Sequence, residues 1–297
     1  MKILSLNTHS LHGGETLDKE RVSELCKMII SENPDVIALQ EVNQSIDAPF
    51  ADLSFTEKYY RAATCVSPVP FKSDNFLLKL VWELNLKNTA YHFTWLPVKK
   101  GYEKYDEGLA MLSKKPIRTA CGVYLSELQN YESWKTRMAL FCRIEGREDL
   151  FCCLHTSRYD DAEEPFDSQW KRFLGYIEGE KRTIAAGDLN VPAHVSGEGY
   201  DRVKESGFYD LYNLSVEKIG YDYTVKGDID GWRSTSVTPP QRIDYILISP
   251  HPKASKITYS TLFDGKRGSE ISDHFGILAN IEGEINDNTE MMKRREW

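Results

Sequence analysis

Apolar residues along this chain recur in short runs separated by polar turns, and eight of these runs have the length of β-strands. They cover residues 3–6, 36–39, 109–112, 138–144, 150–154, 183–186, 243–248 and 276–281. Apolar residues at helical spacing are rarer and predict two helices, over residues 18–31 and 166–177. The first helix is expected to end at the Asn33-Pro34 pair, because the residue before a proline disfavours the helical conformation.

The sequence of 297 residues has no linker rich in proline or serine, no internal repeat and no low-complexity tract. We therefore predict a single α+β domain over residues 1–283, followed by a solvated tail over residues 284–297. Two segments, residues 44–104 and 220–241, show no clear period and are predicted to be long irregular loops. Loops of that length in a compact domain are usually functional or disordered.

The charge balance is acidic, with 45 Asp and Glu residues against 37 Lys and Arg residues and a formal net charge of -8. This balance argues against long nucleic acid as the partner, because proteins that bind a phosphate backbone usually present a basic surface. The N-terminus lacks the apolar segment of a secretory signal, and no stretch reaches the roughly 20 apolar residues of a membrane span. We expect a cytoplasmic protein without a membrane partner, with its six cysteines as free thiols.

Several predicted strands end in a side chain that offers an oxygen or nitrogen ligand. Any one of them alone is explained as a turn former, since Asp and Asn are common at strand ends. Together they form the oxygen-rich set that a hard cation such as Mg²⁺ or Mn²⁺ prefers. The histidines among them lack the spacing of a zinc site, which favours a role in hydrogen bonding or proton transfer. The side chains are Asn7, Glu41, His155, Asp188, Asn190, Asp244, Asp273 and His274.

Seven blocks of sequence, taken in order over residues 3–281, resemble the endonuclease/exonuclease/phosphatase superfamily. Gly-Asp-Leu-Asn followed downstream by Ser-Asp-His is the most specific pair. The resemblance implies a DNase I-like fold, which is a four-layer α/β/β/α sandwich of two packed mixed sheets with helices outside. The blocks are Leu-Asn-Thr-His around Asn7, Leu-Gln-Glu-Val around Glu41, Glu-Gly-Leu-Ala-Met-Leu-Ser from Glu107, His155, Gly-Asp-Leu-Asn from Gly187, Arg-Ile-Asp-Tyr from Arg242, and Ser-Asp-His from Ser272.

The resemblance also implies a divalent metal, Mg²⁺ or Mn²⁺, at one edge of the sandwich. Asn7, Glu41 and Asp273 are expected to bind it, directly or through water. Asp188 is expected to orient or deprotonate the attacking water, and Asn190 to hold a phosphoryl oxygen. Such a site lowers the barrier because phosphate ester cleavage places extra negative charge on the non-bridging oxygens.

The resemblance places His155 and His274 on either side of the phosphate as hydrogen-bond donors. A histidine presents a fixed face only when a carboxylate holds its far nitrogen. The family pattern implies Glu107 as this partner for His155 and Asp244 as the partner for His274.

Shorter stretches, such as Tyr-Asp-Glu-Gly at residues 105–108 and Glu-Glu-Pro-Phe at residues 163–166, resemble a bacterial cytoplasmic branch that includes maltose 6'-phosphate phosphatases. The resemblance implies a phosphomonoesterase for a small sugar phosphate. Several aromatic side chains could stack on a sugar, and two arginines could bind a phosphate. Each aromatic residue is explained equally well by packing of a loop, and each arginine by a position on the surface. They are Trp95, Tyr102, Tyr105, Tyr223, Trp232, Arg137 and Arg158.

Two other functions stay open. The same resemblance is compatible with a phosphodiesterase, either a nuclease or a sphingomyelinase-like lipase. The acidic net charge argues against the nuclease, and the missing export signal argues against a secreted lipase. His9 stands where abasic-site endonucleases of the superfamily carry an acidic residue, which weakens a role in DNA repair. A catalytically inactive scaffold is disfavoured, because every expected catalytic position holds a competent residue.

Overall fold

The computed structural model describes residues 1–12, 14–64, 69–227 and 239–283, and β-strands form the centre of this part of the chain. The strands are β1 (Lys2–Asn7), β2 (Val36–Ser45), β3 (His92–Gly101), β4 (Tyr105–Ser113), β5 (Ile117–Tyr124), β6 (Met138–Ile144), β7 (Leu150–His155), β8 (Thr183–Asp188), β9 (Tyr209–Asp210), β10 (Glu217–Ile219), β11 (Asp244–Ser249), β12 (Lys256–Leu262) and β13 (Gly276–Glu282). The helices are α1 (Glu15–Glu32), α2 (Phe76–Leu86), α3 (Phe166–Tyr176), α4 (Gly199–Glu205) and α5 (Leu211–Leu214).

The strands form two mixed sheets. One sheet has seven strands in the order β10-β12-β13-β1-β2-β4-β3, and the other has six in the order β5-β6-β7-β8-β11-β9. In the first sheet β1 lies parallel to β2 and antiparallel to β13. In the second sheet β8 lies parallel to β7 and antiparallel to β11. Each sheet therefore has a parallel pair at its centre whose carboxyl ends meet at one edge.

Apolar side chains fill the space between the two sheets and also cover both outer faces. The inner layer joins residues of both sheets, such as Met111, Leu140, Ile184 and Ile246. On the outside, α1 and α2 pack against the seven-stranded sheet, and α3 and α4 pack against the six-stranded sheet. This arrangement confirms the predicted four-layer α/β/β/α sandwich, because each sheet buries one face against the other sheet and one face against helices.

All eight predicted strands are present, as β1, β2, β4, β6, β7, β8, β11 and β13, and both predicted helices are present as α1 and α3. The prediction of an irregular loop over residues 44–104 is wrong, because the segment contains α2 and β3. Asn75 caps α2 by accepting a hydrogen bond from the Leu78 amide, a local signal that the sequence carries. Pro97 argues against a strand in the sequence, because proline lacks the N–H that a central strand needs. β3 lies at the edge of its sheet, where the missing N–H is tolerated.

Several sequence expectations concern features outside the strands. The predicted tail, residues 284–297, and residues 228–238 of the second irregular segment lie outside the described residues. Four of the six cysteines, Cys26, Cys142, Cys152 and Cys153, are buried free thiols, as expected. None of the helices in the described ranges combines the length and the apolar character that a membrane span requires.

Candidate active site

Strand register places three of the predicted functional side chains in a row at one edge of the six-stranded sheet. His155 and Asp188 are the last residues of the parallel strands β7 and β8 and lie opposite each other. Asp244 begins the antiparallel strand β11 and lies opposite Asp188 on its other side. Gly187 permits this arrangement, because its φ is 151° and a Cβ there would lie 1.9 Å from the carbonyl oxygen of Leu154.

The seven-stranded sheet contributes Asn7 and Glu41 to the same place. Asn7 ends β1, and Glu41 lies at an irregularity of β2, with a positive φ of 50° where the register with β4 shifts. The Asn7 amide nitrogen donates to Glu41 Oε1 at 2.9 Å and to Asp188 Oδ2 at 3.2 Å. Asn7 therefore bridges the two sheets and joins the expected metal ligands to the expected catalytic carboxylate.

His9 links Glu41 to Asp273, the third expected metal ligand. The Nδ1 atom of His9 lies 3.3 Å from Glu41 Oε2 and 3.7 Å from Asp273 Oδ1. Burial by itself lowers the pKa of His9, but the hydrogen bond to Glu41 and the negative charges of Glu41 and Asp273 together outweigh burial, so the pKa is raised. Ser272 fixes the loop beside this group by donating from its hydroxyl to the Asn7 carbonyl at 2.8 Å.

The donor set fits a hard divalent cation. Burial raises the pKa of Glu41, but the hydrogen bonds from His9 and Asn7 and the positive charge of His9 together outweigh burial and hold the pKa well below its usual range. Glu41 is therefore ionised, and Asn7 and Asp273 add amide and carboxylate oxygens of the kind Mg²⁺ and Mn²⁺ prefer. His12 extends the set, since it places a nitrogen within 4.8 Å of ligand atoms of His9 and Glu41.

The predicted orientation of His274 by Asp244 is confirmed. His274 Nδ1 lies 2.9 Å from Asp244 Oδ2, and both side chains are buried. The other ring nitrogen, Nε2, lies 3.7 Å from Asp188 Oδ2. Burial lowers the pKa of His274, but the charges of Asp244 and Asp188 outweigh burial and raise it well above its usual value. Burial and the charge of Asp244, opposed by His274, raise the pKa of Asp188 to about 7.

The predicted orientation of His155 by Glu107 is wrong, because the described residues show no hydrogen bond between these two side chains. Glu107 Oε1 instead lies 3.2 Å from the ammonium of Lys99, a buried cation that attracts the carboxylate more strongly than a neutral imidazole. His155 Nε2 lies 3.7 Å from Asp188 Oδ2. Burial and the positive charges of Arg137 and Lys99 hold the pKa of His155 well below its usual value.

The two histidines that flank Asp188 therefore differ in protonation. At neutral pH His155 is neutral, whereas His274 carries a proton and a positive charge. Opposite shifts of neighbouring groups separate an acid from a base in one site. His274 is suited to donate a hydrogen bond to an anionic oxygen.

Asn190 follows β8 in a left-handed conformation with φ 53°, which asparagine tolerates better than most residues. Its backbone N–H donates to Asp188 Oδ1 at 2.9 Å and so holds that carboxylate in place. Its side-chain nitrogen donates to the carbonyl of Thr156 at 2.9 Å. An amide nitrogen carries two N–H groups, so one stays available for a substrate oxygen.

A cavity of about 470 Å³ opens onto these groups. Its wall combines the acidic group near Glu41 with a basic group made of Lys99 and Arg137. The predicted residues Asn7 and Asp244 lie behind the wall. Lys99 carried no role in the sequence prediction, and Trp134 was also missed. The lining is His9, Glu41, Lys99, Lys100, Gly101, Tyr102, Glu103, Glu107, Glu132, Trp134, Arg137, His155, Ser157, Arg158, Asp161, Asp188, Asn190, Asp273 and His274.

Of the aromatic side chains considered as sugar platforms, Tyr102 lines the cavity. Trp95 is buried in the core and donates from its indole nitrogen to the Val42 carbonyl, so this expectation is wrong. Tyr105 is also packed away, with its hydroxyl on a backbone carbonyl. Tyr223 packs at a tilt against the rings of Tyr221 and Phe275 outside the cavity lining, and Trp232 lies outside the described residues.

A protein-family model described as the endonuclease/exonuclease/phosphatase family matches residues 4–274. The chain belongs to the endonuclease/exonuclease/phosphatase family. Members of this family hydrolyse phosphate esters and generally depend on a divalent metal. The sequence blocks that resemble this family lie within the matched residues.

Similar proteins of the endonuclease/exonuclease/phosphatase family span almost the whole chain. An "Exodeoxyribonuclease" of Streptococcus pneumoniae serotype 4 (strain ATCC BAA-334 / TIGR4) is 25% identical over 322 residues, covering 95% of this chain and 100% of the relative. A solved family protein from Leptotrichia buccalis C-1013-b has a TM-score of 0.76 at 25% identity, covering 95% of this chain and 99% of that chain. A mannosyl-6-phosphatase from Bacteroides thetaiotaomicron VPI-5482 has a TM-score of 0.61 at 18% identity, covering 95% and 99%. These structures share the sandwich fold of this chain.

Proposed function

We propose that the protein is a Mg²⁺-dependent phosphoesterase that hydrolyses a small phosphorylated substrate, with a sugar phosphate such as maltose 6'-phosphate as the leading candidate. The observation that carries the proposal is that metal-type oxygens, the buried Lys99 and the half-buried Arg137 line one cavity of about 470 Å³. Cavities of this size hold small molecules, and the two charge types suit a phosphate bridged between a cation and basic side chains. The named mannosyl-6-phosphatase of the same fold supports a sugar phosphate.

Asn7, Glu41 and Asp273 would hold the metal, which supplies Lewis-acid stabilisation of the negative charge on the phosphoryl oxygens. Asp188 would orient the attacking water and accept its proton. In the metal-free protein burial and the charge of Asp244 raise the pKa of Asp188 to about 7, and a bound Mg²⁺ would favour the carboxylate form that accepts the proton.

The remaining side chains would bind the transferred phosphoryl group. His274, protonated and held by Asp244 at 2.9 Å, would donate from Nε2 to a non-bridging oxygen. Asn190 would donate its second amide N–H. His155, neutral and on the opposite side of Asp188, would accept or donate a hydrogen bond without adding charge. Donors fixed in advance stabilise the charge that develops in the transition state.

A second candidate function is cleavage of DNA, because a relative that is 25% identical is named an exodeoxyribonuclease. The net charge of -8 makes this candidate weaker than the first, since a DNA-binding surface needs basic side chains along the backbone path. A sphingomyelinase-like lipase would use the same carboxylates and histidines on a different diester.

The test is a panel assay with Mg²⁺ on maltose 6'-phosphate, other sugar phosphates, nucleotides, plasmid DNA and sphingomyelin. We expect turnover of sugar phosphates, its loss on chelation of the metal, and its loss in Asp188→Asn with the melting temperature preserved. Asp201→Asn, on the surface of α4, serves as the control and should keep full activity. Rapid nicking of plasmid without turnover of any sugar phosphate would refute the proposal, and hydrolysis of nothing in the panel would favour a scaffold.

A further inference from the structure

Two positively charged side chains, Lys99 and Arg137, line the cavity, and within the described part of the chain Glu107 is the one carboxylate that forms an ion pair with either of them. Lys99 is 5% exposed, and its ammonium lies 3.2 Å from Glu107 Oε1. Arg137 lines the same wall, and among the described residues no carboxylate forms an ion pair with it. The group formed by Lys99, Arg137 and Glu107, the basic wall, therefore carries a net charge of about +1 with both cations ionised.

Some N–H groups of the basic wall donate to no acceptor in the described part of the protein. Lys99 donates to the Trp134 carbonyl at 2.9 Å and pairs with Glu107, which accounts for two of its three N–H groups. Arg137 lines the cavity, and the hydrogen bonds among the described residues include none donated by its guanidinium; its Nε atom is itself too buried for a ligand to reach. Buried donors in folded proteins are nearly always paired, so open donors beside a cavity indicate that the cavity takes an acceptor.

The position of Lys99 is costly, which argues that it is not an incidental surface cation. Burial and the neighbouring charge of Arg137, opposed by Glu107, lower the pKa of Lys99 to about 8. A buried charge without full compensation destabilises the folded protein unless a ligand of opposite charge completes it. Lys99 and Arg137 line the same cavity as His155 and Asp188, which is where the phosphate would lie.

We propose that Lys99, together with Arg137, binds the second negative charge of a terminal phosphate and so makes the enzyme selective for phosphomonoesters over phosphodiesters. The inference rests on the function proposed above and names the charge state of its substrate. A phosphomonoester has a second pKa near 6 and carries almost two negative charges at pH 7, whereas a diester carries one. A bound Mg²⁺ would be largely neutralised by the carboxylates of Glu41 and Asp273, so the second charge of a dianion needs further cations in the same cavity.

Lys99→Gln tests this proposal with two chromogenic substrates, p-nitrophenyl phosphate and bis-p-nitrophenyl phosphate, at saturating Mg²⁺. Losing one hydrogen bond between charged groups should lower kcat/KM for the monoester by about 10- to 150-fold. The diester should change by less than about threefold, because it lacks the charge that Lys99 binds. Lys181→Gln, before the start of β8 and therefore far from Asp188, is the matched control and should leave both values unchanged.

Calorimetric titration with inorganic phosphate at saturating Mg²⁺ provides a readout that needs no turnover. Phosphate affinity should fall in Lys99→Gln by about the same factor as monoester kcat/KM. Because Glu107 loses its partner in this variant, Lys99→Gln/Glu107→Gln is measured alongside it. The double variant returns the net charge of the basic wall to about +1 but still lacks the Lys99 donor, so it should keep part of the loss of phosphate affinity, and a loss as large as that of Lys99→Gln would show that the missing donor dominates. Equal losses for monoester and diester, or unchanged phosphate affinity, would overturn the inference. A parent enzyme that cleaves only diesters would instead refute the proposed function, and the phosphate titration still decides the role of Lys99.

Discussion

Replacement of Asp244 by asparagine isolates the hydrogen bond that holds His274, and its effect on the pKa of that histidine follows from the structure. The two groups are 2.9 Å apart and both side chains are buried, so solvent screens their interaction little. A hydrogen bond between charged groups contributes about 1.5–3 kcal/mol, and each pKa unit corresponds to about 1.4 kcal/mol. We therefore expect the pKa of His274 in Asp244→Asn to fall by about one to two units.

The sign of the stability change follows from the same shift. The pKa of His274 is raised in the folded protein, so its protonation stabilises the fold below the unfolded pKa of about 6.5, and this contribution is lost as pH rises through the folded pKa. Asp244→Asn should therefore lose about 1.5–3 kcal/mol of unfolding free energy near pH 5 and less at alkaline pH. Turnover should fall about 10- to 100-fold, as is usual when the partner of an active-site histidine is removed.

The assay is an NMR titration of the His274 ring in the parent and the variant, combined with denaturant unfolding at pH 5 and pH 9. Asp149→Asn is the matched control, because Asp149 is buried, pairs with Arg147 and Arg182, and precedes β7 at the end far from His155. The control should lose stability without any change in the pKa of His274. An unchanged pKa of His274 in Asp244→Asn would refute the assignment of Asp244 as its orienting partner.

Three further predictions concern single groups. The pKa of Lys99 is about 8, so kcat/KM for a phosphomonoester should decline as pH rises through about 8, and Lys99→Gln should lack that decline; parallel profiles would contradict this. Because Asp188 holds a proton up to about pH 7 in the metal-free protein, stability should fall as pH rises from about 4 through 7. Mg²⁺ favours the ionised form of Asp188, so the gain in melting temperature on adding Mg²⁺ should increase from pH 5 to pH 8. A gain that does not change with pH would contradict a metal site beside Asp188. Gly187→Ala should lose at least about 2–3 kcal/mol in denaturant unfolding, since its Cβ would overlap the Leu154 carbonyl; parental stability would contradict the close approach of β7 and β8.

The placement of Asn7, His155 and Asp188 could be predicted because a local pattern encodes it. In each case an apolar run ends in a polar side chain, and that side chain proves to be the last residue of β1, β7 or β8. Parallel strands bring such ends to one edge of a sheet. The sequence pattern therefore predicts that these side chains lie close together. The hydrogen bonds from Asn7 to Glu41 and Asp188 form because the two sheets pack face to face.

Lys99 could not be predicted in this way. It lies in β3 beside Pro97, where the register with β4 shifts, so the segment lacks the period of a strand. Two successive lysines normally indicate a solvated surface, and only the tertiary contacts with Glu107 and the Trp134 carbonyl bury one of them. The prediction that Glu107 orients His155 is wrong for the same reason. Its observed partner is Lys99, and nothing in the sequence indicates that Lys99 is buried beside it.

In the proposed mechanism Glu41 and its neighbours hold a divalent cation beside Asp188. Crystals grown with Mn²⁺, measured at a wavelength where manganese scatters anomalously, test this claim directly. We predict an anomalous peak within about 2.5 Å of a Glu41 carboxylate oxygen, and its loss in crystals of Glu41→Gln. A protein that binds Mn²⁺ with no peak beside Glu41, or with the same peak in Glu41→Gln, would contradict the account.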